Sequence, residues 1–250
     1  GLDTGAAVVT LDRDGFLNVQ SSSTEMGQGI RTAHAQIAAE VLGLTMDRIS
    51  FSPTDTSITL DAGPTVASRG LLSGGNAVKL AAEKIRSRLI GAAADIWGCS
   101  EEDVDLRENT AYRVSAPEVS MSLPELAMEC HRSRGIPLTA QGWFTPDPEV
   151  LNPDTGQGNA YPTYLFGAAA VEVVVDTGTG KVTVERITAA YELGRAVNPA
   201  LALGQLNGGI MQGLGYALME EVDDRGGDLK TLNYDEYLIP GILDAPEGDI

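Results

Sequence analysis

Twice along these 250 residues, a pair of alternating strand segments leads through a glycine-flanked glutamine into a run of helical periodicity. The first copy pairs residues 6–11 with 16–21 around Asp12-Arg13-Asp14-Gly15. It then passes Gly27-Gln28-Gly29 into a helix predicted to residue 42, with apolar positions Ile30, Ala33, Ile37 and Val41 and a stop at Gly43. The second pairs residues 168–175 with 181–191, and Gly204-Gln205 precedes a helix expected over residues 206–220. Such duplication predicts two related lobes facing each other across a ligand. Strands joined by hairpins and mixed with helices predict an α+β fold with mixed sheets, not alternating βαβ units.

Between the copies, residues 49–52 read as a short strand. Residues 73–97 read as a long amphipathic helix, with Val78, Ala81, Ala82, Ile85 and Leu89 inward and Lys79, Lys84, Arg86 and Arg88 mostly on the other side. Ser100 and Ser122 each stand where a capping box would begin, the second opening a helix that Gly135 ends. Residues 142–158, rich in Pro, Asp, Asn and Gly, read as a loop between lobes. The expected division is therefore a first lobe at 1–141, a connection at 142–160 and a second lobe at 161–250.

A formal charge of −18 argues against nucleic acid or an anionic membrane surface, which need clustered Lys and Arg. A bound phosphate must then rely on backbone N–H groups and a few arginines. No apolar run is long enough to span a bilayer. Cys99 and Cys130 form no disulfide framework or metal spacing, which suits free thiols in a cytoplasmic protein. His34 and His131 lack a third ligand at any metal-binding spacing and read as structural or solvent-facing. The helix start at Gly27-Gln28-Gly29 is the first candidate site. Helix N-termini favour anions, glycines admit close approach, and an amide both donates and accepts.

Three blocks carry a resemblance. They are Glu25-Met26-Gly27-Gln28-Gly29, then Pro64-Thr65-Val66-Ala67-Ser68-Arg69-Gly70, then Gly194-Arg195-Ala196-Val197-Asn198-Pro199 followed by Gly204-Gln205-Leu206-Asn207-Gly208-Gly209. In this order and spacing, the chain resembles the molybdenum-binding subunit of the xanthine dehydrogenase and aldehyde oxidoreductase family, from about residue 4 to residue 246. The resemblance implies a two-lobed molybdopterin-binding domain. Its cofactor contacts would be Met26, Gly27, Gln28, Gly29, Val66, Ala67, Ser68, Arg69, Gly70 and Gln205. Ala67 would line the substrate pocket, and Ser68, Arg69 and Gly70 would hold the pterin phosphate or a cytosine dinucleotide extension. Residues 73–76 would add helix N–H groups to that anion site. No residue of this chain is expected to ligate the metal, since in the family the pterin sulfurs hold it.

The resemblance also implies oxidation of an N-heterocycle (purine-like) or an aldehyde using water, with electrons passing to iron–sulfur clusters and FAD in partner subunits or domains. The family's catalytic glutamate stands in a Gly-Val-Gly-Glu motif that these residues lack, and Glu192 stands where an Asp is usual. Glu25, Asp55, Asp61, Glu172 and Glu192 offer no convincing base. The expectation is a piece of a longer molybdenum subunit, truncated before that glutamate and inactive alone, that works with the rest of the subunit. The alternative is a non-catalytic fragment or assembly module without cofactor. A nucleotide-binding protein of another class ranks last, because neither phosphate-loop fingerprint is present.

Overall fold

The computed structural model describes residues 4–147 and 150–249, which fall into two compact units, 1–162 and 163–250. In the first unit, β1 (Gly5–Leu11) pairs antiparallel with β2 (Leu17–Ser21), and β2 pairs parallel with β3 (Ile49–Phe51). Helix α1 (Ile30–Leu42) lies between β2 and β3 in sequence. It ends at Gly43, whose φ of 62° places it in the left-handed region that closes helices. Five residues at 70–74 form a π-helical turn that runs directly into α2 (Gly75–Trp97).

A meander of β4 (Val104–Arg107), β5 (Thr110–Arg113) and β6 (Ala116–Ser122) follows. Next come α3 (Leu123–Glu129) and β7 (Thr139–Phe144), which pairs with β1 and completes a sheet of order β3-β2-β1-β7. The residues expected as loop from 142 therefore begin as strand, and 148–149 of that segment lie outside the described residues. The Ser122 cap is a full box, with Glu125 returning to the Ser122 N–H at 3.0 Å. At Ser100 there is only a short 3-10 turn without a side-chain cap, so that expectation is corrected.

Alternation in β1 and β2 turns Ala7, Val9, Leu11, Leu17 and Val19 inward, against Val78, Ile85 and Leu89 of α2 and Leu42 of α1. The apposition of α2 to the sheet is unusually close. A Cβ on Gly142 would collide with the Ala77 carbonyl oxygen, and one on Gly5 with that of Ser73. Alanines at 77, 81 and 82 complete the small-residue face. Of the four cations expected on the other side of α2, Lys79 pairs with Glu83 on the exposed surface and three reach around the rim. Lys84 donates to Gln141 O at 2.7 Å, and Arg88 donates to Pro137 O and Thr139 O, each at 2.8 Å. Arg86 spans from Val41 O to Asp105, whose carboxyl is pushed up by burial but held below its ordinary value by Arg86, the Leu106 N–H and Tyr112.

A two-residue pair, β8 (Val150–Leu151) with β9 (Gly158–Asn159), closes the first unit. The second unit opens on a hairpin of β10 (Phe166–Val175) and β11 (Val182–Glu192), with a bulge between Glu172 and Val173. Helix α4 runs over Pro199–Leu218. The small β12 (Asp224–Arg225) and β13 (Asp228–Leu229) pair, and β14 (Glu247–Asp249) joins β11 in parallel. The fold is α+β with mixed open sheets, and hairpin followed by helix does occur in both units. Among the described residues, no helix is long and apolar enough to cross a membrane.

The Gly142 contact gives the first prediction. Gly142→Ala forces the strand off α2 and destabilises the chain by about 1–3 kcal/mol. Gly91→Ala, whose Cβ meets only the mobile end of Glu101 at 3.3 Å, is neutral or stabilising by up to about 1 kcal/mol. Urea unfolding of both variants checks the contrast.

Candidate functional site

The Gly27-Gln28-Gly29 start carries its own anion. Glu25 Oε1 accepts the N–H groups of Gly27 (2.9 Å) and Gly29 (3.0 Å), and Oε2 accepts that of Arg31 (3.1 Å). Partial burial pushes the Glu25 carboxyl up, but these three backbone donors and the Arg31 charge outweigh it and leave the group below its ordinary value. The Gln28 amide is also turned onto its own loop. Its Oε1 accepts from Met26 N at 2.6 Å and its Nε2 donates to Thr24 O at 2.8 Å. What the loop presents outward is backbone and Met26, which is 69% exposed, with φ at 102° for Gly27 and 80° for Gly29. A Cβ on Gly27 would touch nothing within 4 Å, so open space lies beside it.

The second loop is bound to the first. Thr24 N–H donates to Thr65 Oγ1 at 2.8 Å, and His34 Nε2 of α1 lies 3.0 Å from Gly70 O. Arg69 is buried, and its guanidinium bonds the carbonyls of Pro64, Ala62 and Thr4. It therefore organises the loop from behind. Val66, Ala67 and Ser68 face outward, and Ala67 has a φ of 47°, an uncommon conformation for a residue with a Cβ. The space enclosed behind the loop, lined by Ser22, Ser23, Thr65 and Gly74 among others, is about 10 Å³, no more than one water. A ligand at these loops must sit on their outer face.

The anion donors expected from residues 73–76 lie elsewhere. The Gly75 N–H points back to the carbonyls of Gly70, Leu71 and Leu72, because helical backbone already begins at Arg69. The first-turn N–H groups, which no helix can pair internally, belong to residues 68–71 and adjoin Ala67. The expected helix start at Gln205 is likewise corrected. Asn198 Oδ1 accepts from Leu201 N at 3.0 Å, Pro199 occupies the first helical position, and Gln205 is exposed in the second turn of α4. Gly204 looked like a helix start because glycine weakens helices, yet α4 continues through it.

Three of the four remaining candidate acids, all but Glu172, are shown bonded to backbone. Asp55 Oδ1 accepts the Ser57 N–H at 2.8 Å, Asp61 Oδ1 that of Gly63 at 3.0 Å, and Glu192 Oε1 that of Gly194 at 2.9 Å. Among the described residues, no group of three His, Cys, Asp or Glu side chains could hold a metal ion. A cleft of about 590 Å³ lies instead at the other end of the β1–β2 hairpin, lined by Asp12, Arg13, Asp14 and His131 among others. The loops fit a ligand gripped by backbone donors and small side chains.

The family described as the molybdopterin cofactor-binding domain matches residues 1–246. The chain belongs to that family. It is 31% identical over 249 residues to the nicotine 6-hydroxylase large subunit of Paenarthrobacter nicotinovorans, covering 98% of this chain and 29% of that protein. It is 32% identical over 253 residues to the putative xanthine dehydrogenase molybdenum-binding subunit of Escherichia coli K12, covering 99% and 32%. The solved structure of quinoline 2-oxidoreductase from Pseudomonas putida 86 superposes with a TM-score of 0.84 at 27% identity, over 99% of this chain and 31% of that one. This molybdopterin-binding chain thus spans about a third of the length of the relatives it matches.

The sequence reading missed the Thr24–Thr65 bridge and the His34 bond to Gly70. The signal for the second was present, since His34 shares a helical face with Ile30 and Ile37.

Replacing the built-in carboxylate tests the first loop. Glu25→Gln destabilises by about 0.5–2 kcal/mol at neutral pH, as loss of a helix cap does. Because the folded carboxyl sits below its unfolded value of about 4.3, its contribution is full above that value. It is lost as pH falls through the folded value. The gap between wild type and Glu25→Gln in urea midpoint therefore closes on acidification below about pH 4; a gap that persists there contradicts the assignment.

Proposed function

We propose that this chain is the cofactor-binding part of a molybdenum hydroxylase that oxidises an N-heterocycle or an aldehyde with water as oxygen source. The names of the three relatives above refer to nicotine, xanthine and quinoline, all nitrogen heterocycles, and favour the first substrate class. The feature that supports the site is the helix head at residues 68–71, which follows directly on the outward-facing Val66 and Ala67. When bound, the molybdopterin supplies the redox chemistry, and the chain's own groups hold and orient it.

In this reading, Gly70 and the backbone of Arg69 hold the phosphate or a cytosine dinucleotide extension, with Ser68 as a hydroxyl donor. The Arg69 guanidinium keeps the loop in shape. Met26, Gly27 and Gly29 offer backbone and an apolar cover to the pterin, while Gln28 stiffens their loop. Ala67 keeps the substrate side narrow and uncharged. Gln205 remains a proposed contact, now as an exposed amide on a helix face. The first lobe at 1–141, the connection at 142–160 and the second lobe at 161–250 are retained as the proposed division of labour. Iron–sulfur and FAD subunits or domains accept the electrons, the rest of the molybdenum subunit completes the site, and the complex works in the cytoplasm.

Protein made in a molybdenum-replete host should carry molybdenum and pterin near one per chain and release CMP on mild hydrolysis. These 250 residues alone should not reduce a dye with substrate present. Ser68→Glu, which puts a carboxylate beside the helix head, should lower the bound molybdenum by about tenfold. A chain that folds but carries no molybdenum or pterin would instead be a non-catalytic assembly module.

A further inference from the structure

We propose that His34 is a positioning residue for the cofactor loops, its Nε2–H holding the Gly70 carbonyl and so fixing residues 67–70 against α1. The role toward cofactor rests on the reading of these loops given above; the hydrogen bond and its effect on the loop do not. The His34 ring is completely buried, and a carbonyl oxygen can only accept, so the proton must be on Nε2. Nδ1 is buried and has no partner among the described residues. A histidine with half its polar capacity unmet is a poor choice for packing alone, because an apolar side chain fills such a space without desolvating a nitrogen. Burial accordingly pulls the imidazole below its ordinary value, against smaller opposing effects of the Gly70 carbonyl and Glu25.

The surroundings are shaped for this bond. Ile30, His34 and Ile37 form one face of α1, and Gly70, Gly74 and Gly75 meet them. A Cβ on Gly74 would collide with Ser23 Oγ and come within 2.9 Å of His34 Cε1. One on Gly75 would come within 2.9 Å of Ile37 Cδ1, and one on Gly70 within 3.4 Å of Ile30 Cδ1. On its other side the ring stacks on Phe51, at 6.3 Å between centroids and 25° between planes. The imidazole is thus held in one place by β3 and α1. The Gly70 carbonyl also takes the Gly75 N–H that closes the π turn. One oxygen therefore ties together the helix head, α1 and the end of the exposed loop, immediately behind Ala67 and Ser68.

The test uses the full chain. The protein has two histidines, so selective nitrogen-15 labelling with His131→Gln as assignment control reads the His34 tautomer directly. The expected signal is a protonated Nε2 and a bare Nδ1 at neutral pH; a proton on Nδ1 overturns the proposal. His34→Met fills the volume without a donor, and His34→Gln restores an amide N–H at similar reach. Amide exchange of residues 67–72 should rise on the order of tenfold in His34→Met and return toward wild type in His34→Gln. Molybdenum retained after gel filtration should follow the same order, falling on the order of tenfold in His34→Met. Equal exchange in wild type and His34→Met overturns the proposal, as does equal loss in both variants. If the wild type carries no molybdopterin, the cofactor reading fails, while tautomer and exchange still decide whether His34 holds the loop.

Discussion

Helix α2 rests on β1 and β7 with backbone against backbone, because Gly5 and Gly142 carry no side chain where Ser73 and Ala77 pass over them. Much else in the first unit follows from that contact. An α2 held farther from the sheet would move the π turn at 70–74 away from β1 and from α1. The Gly70 carbonyl would then leave the reach of His34, and the Arg69 guanidinium would lose the carbonyls of Thr4 and Ala62. Small residues on both partners set the depth of the helix, and the depth of the helix sets where the exposed loop begins. Packing and candidate site are therefore one construction here, with the loop as the leading end of the core helix.

The electrostatics follow a consistent economy. The chain carries −18 formal charge, yet several of its acids bond backbone donors of their own turns, as Glu25, Asp55, Asp61 and Glu192 do. The buried cation of the loop, Arg69, is likewise directed at carbonyls. Polar side chains thus stiffen loops, and in the proposed function recognition is left to peptide groups at helix starts and left-handed turns. Such groups bring partial charge without a net charge and lose little entropy on binding, because the fold has already oriented them.

Much of the fold was legible from local pattern. The hairpins at Asp12 and Asp176, the glycine stops at Gly43 and Gly135, and the box at Ser122 each have a mechanism confined to a few neighbouring residues. The β4–β6 meander and β7 were not read, because Thr110–Arg113 and Thr139–Phe144 alternate too weakly to stand out, and β7 gains its identity by pairing with the distant β1. At the candidate site, the sequence marked the two loops as neighbours in function but not the direction of their side chains. Gln28 and Arg69 looked like ligand contacts and turned inward; His34 looked incidental and became a fastening. Residue type announces what a group can bond, whereas its partner depends on which segments the core brings together.

The two helix starts of the first unit show why that distinction matters for an anionic ligand. Both follow left-handed residues, Gly29 at one and Ala67 at the other, and both would suit a phosphate by pattern alone. At α1 the donors are already paired with Glu25, and displacing that carboxylate would expose a charge as well as break three hydrogen bonds. Among the described residues no carboxylate bonds the helix head at 68–71, and the Arg69 guanidinium is turned to the back of the loop. In the proposed function, an incoming anion would meet peptide donors there without first evicting another. The first loop then contributes shape and an apolar surface at Met26, and the second contributes the positive end of a helix dipole. The difference rests on one residue, since Glu25 already pairs the N–H groups of the first helix start.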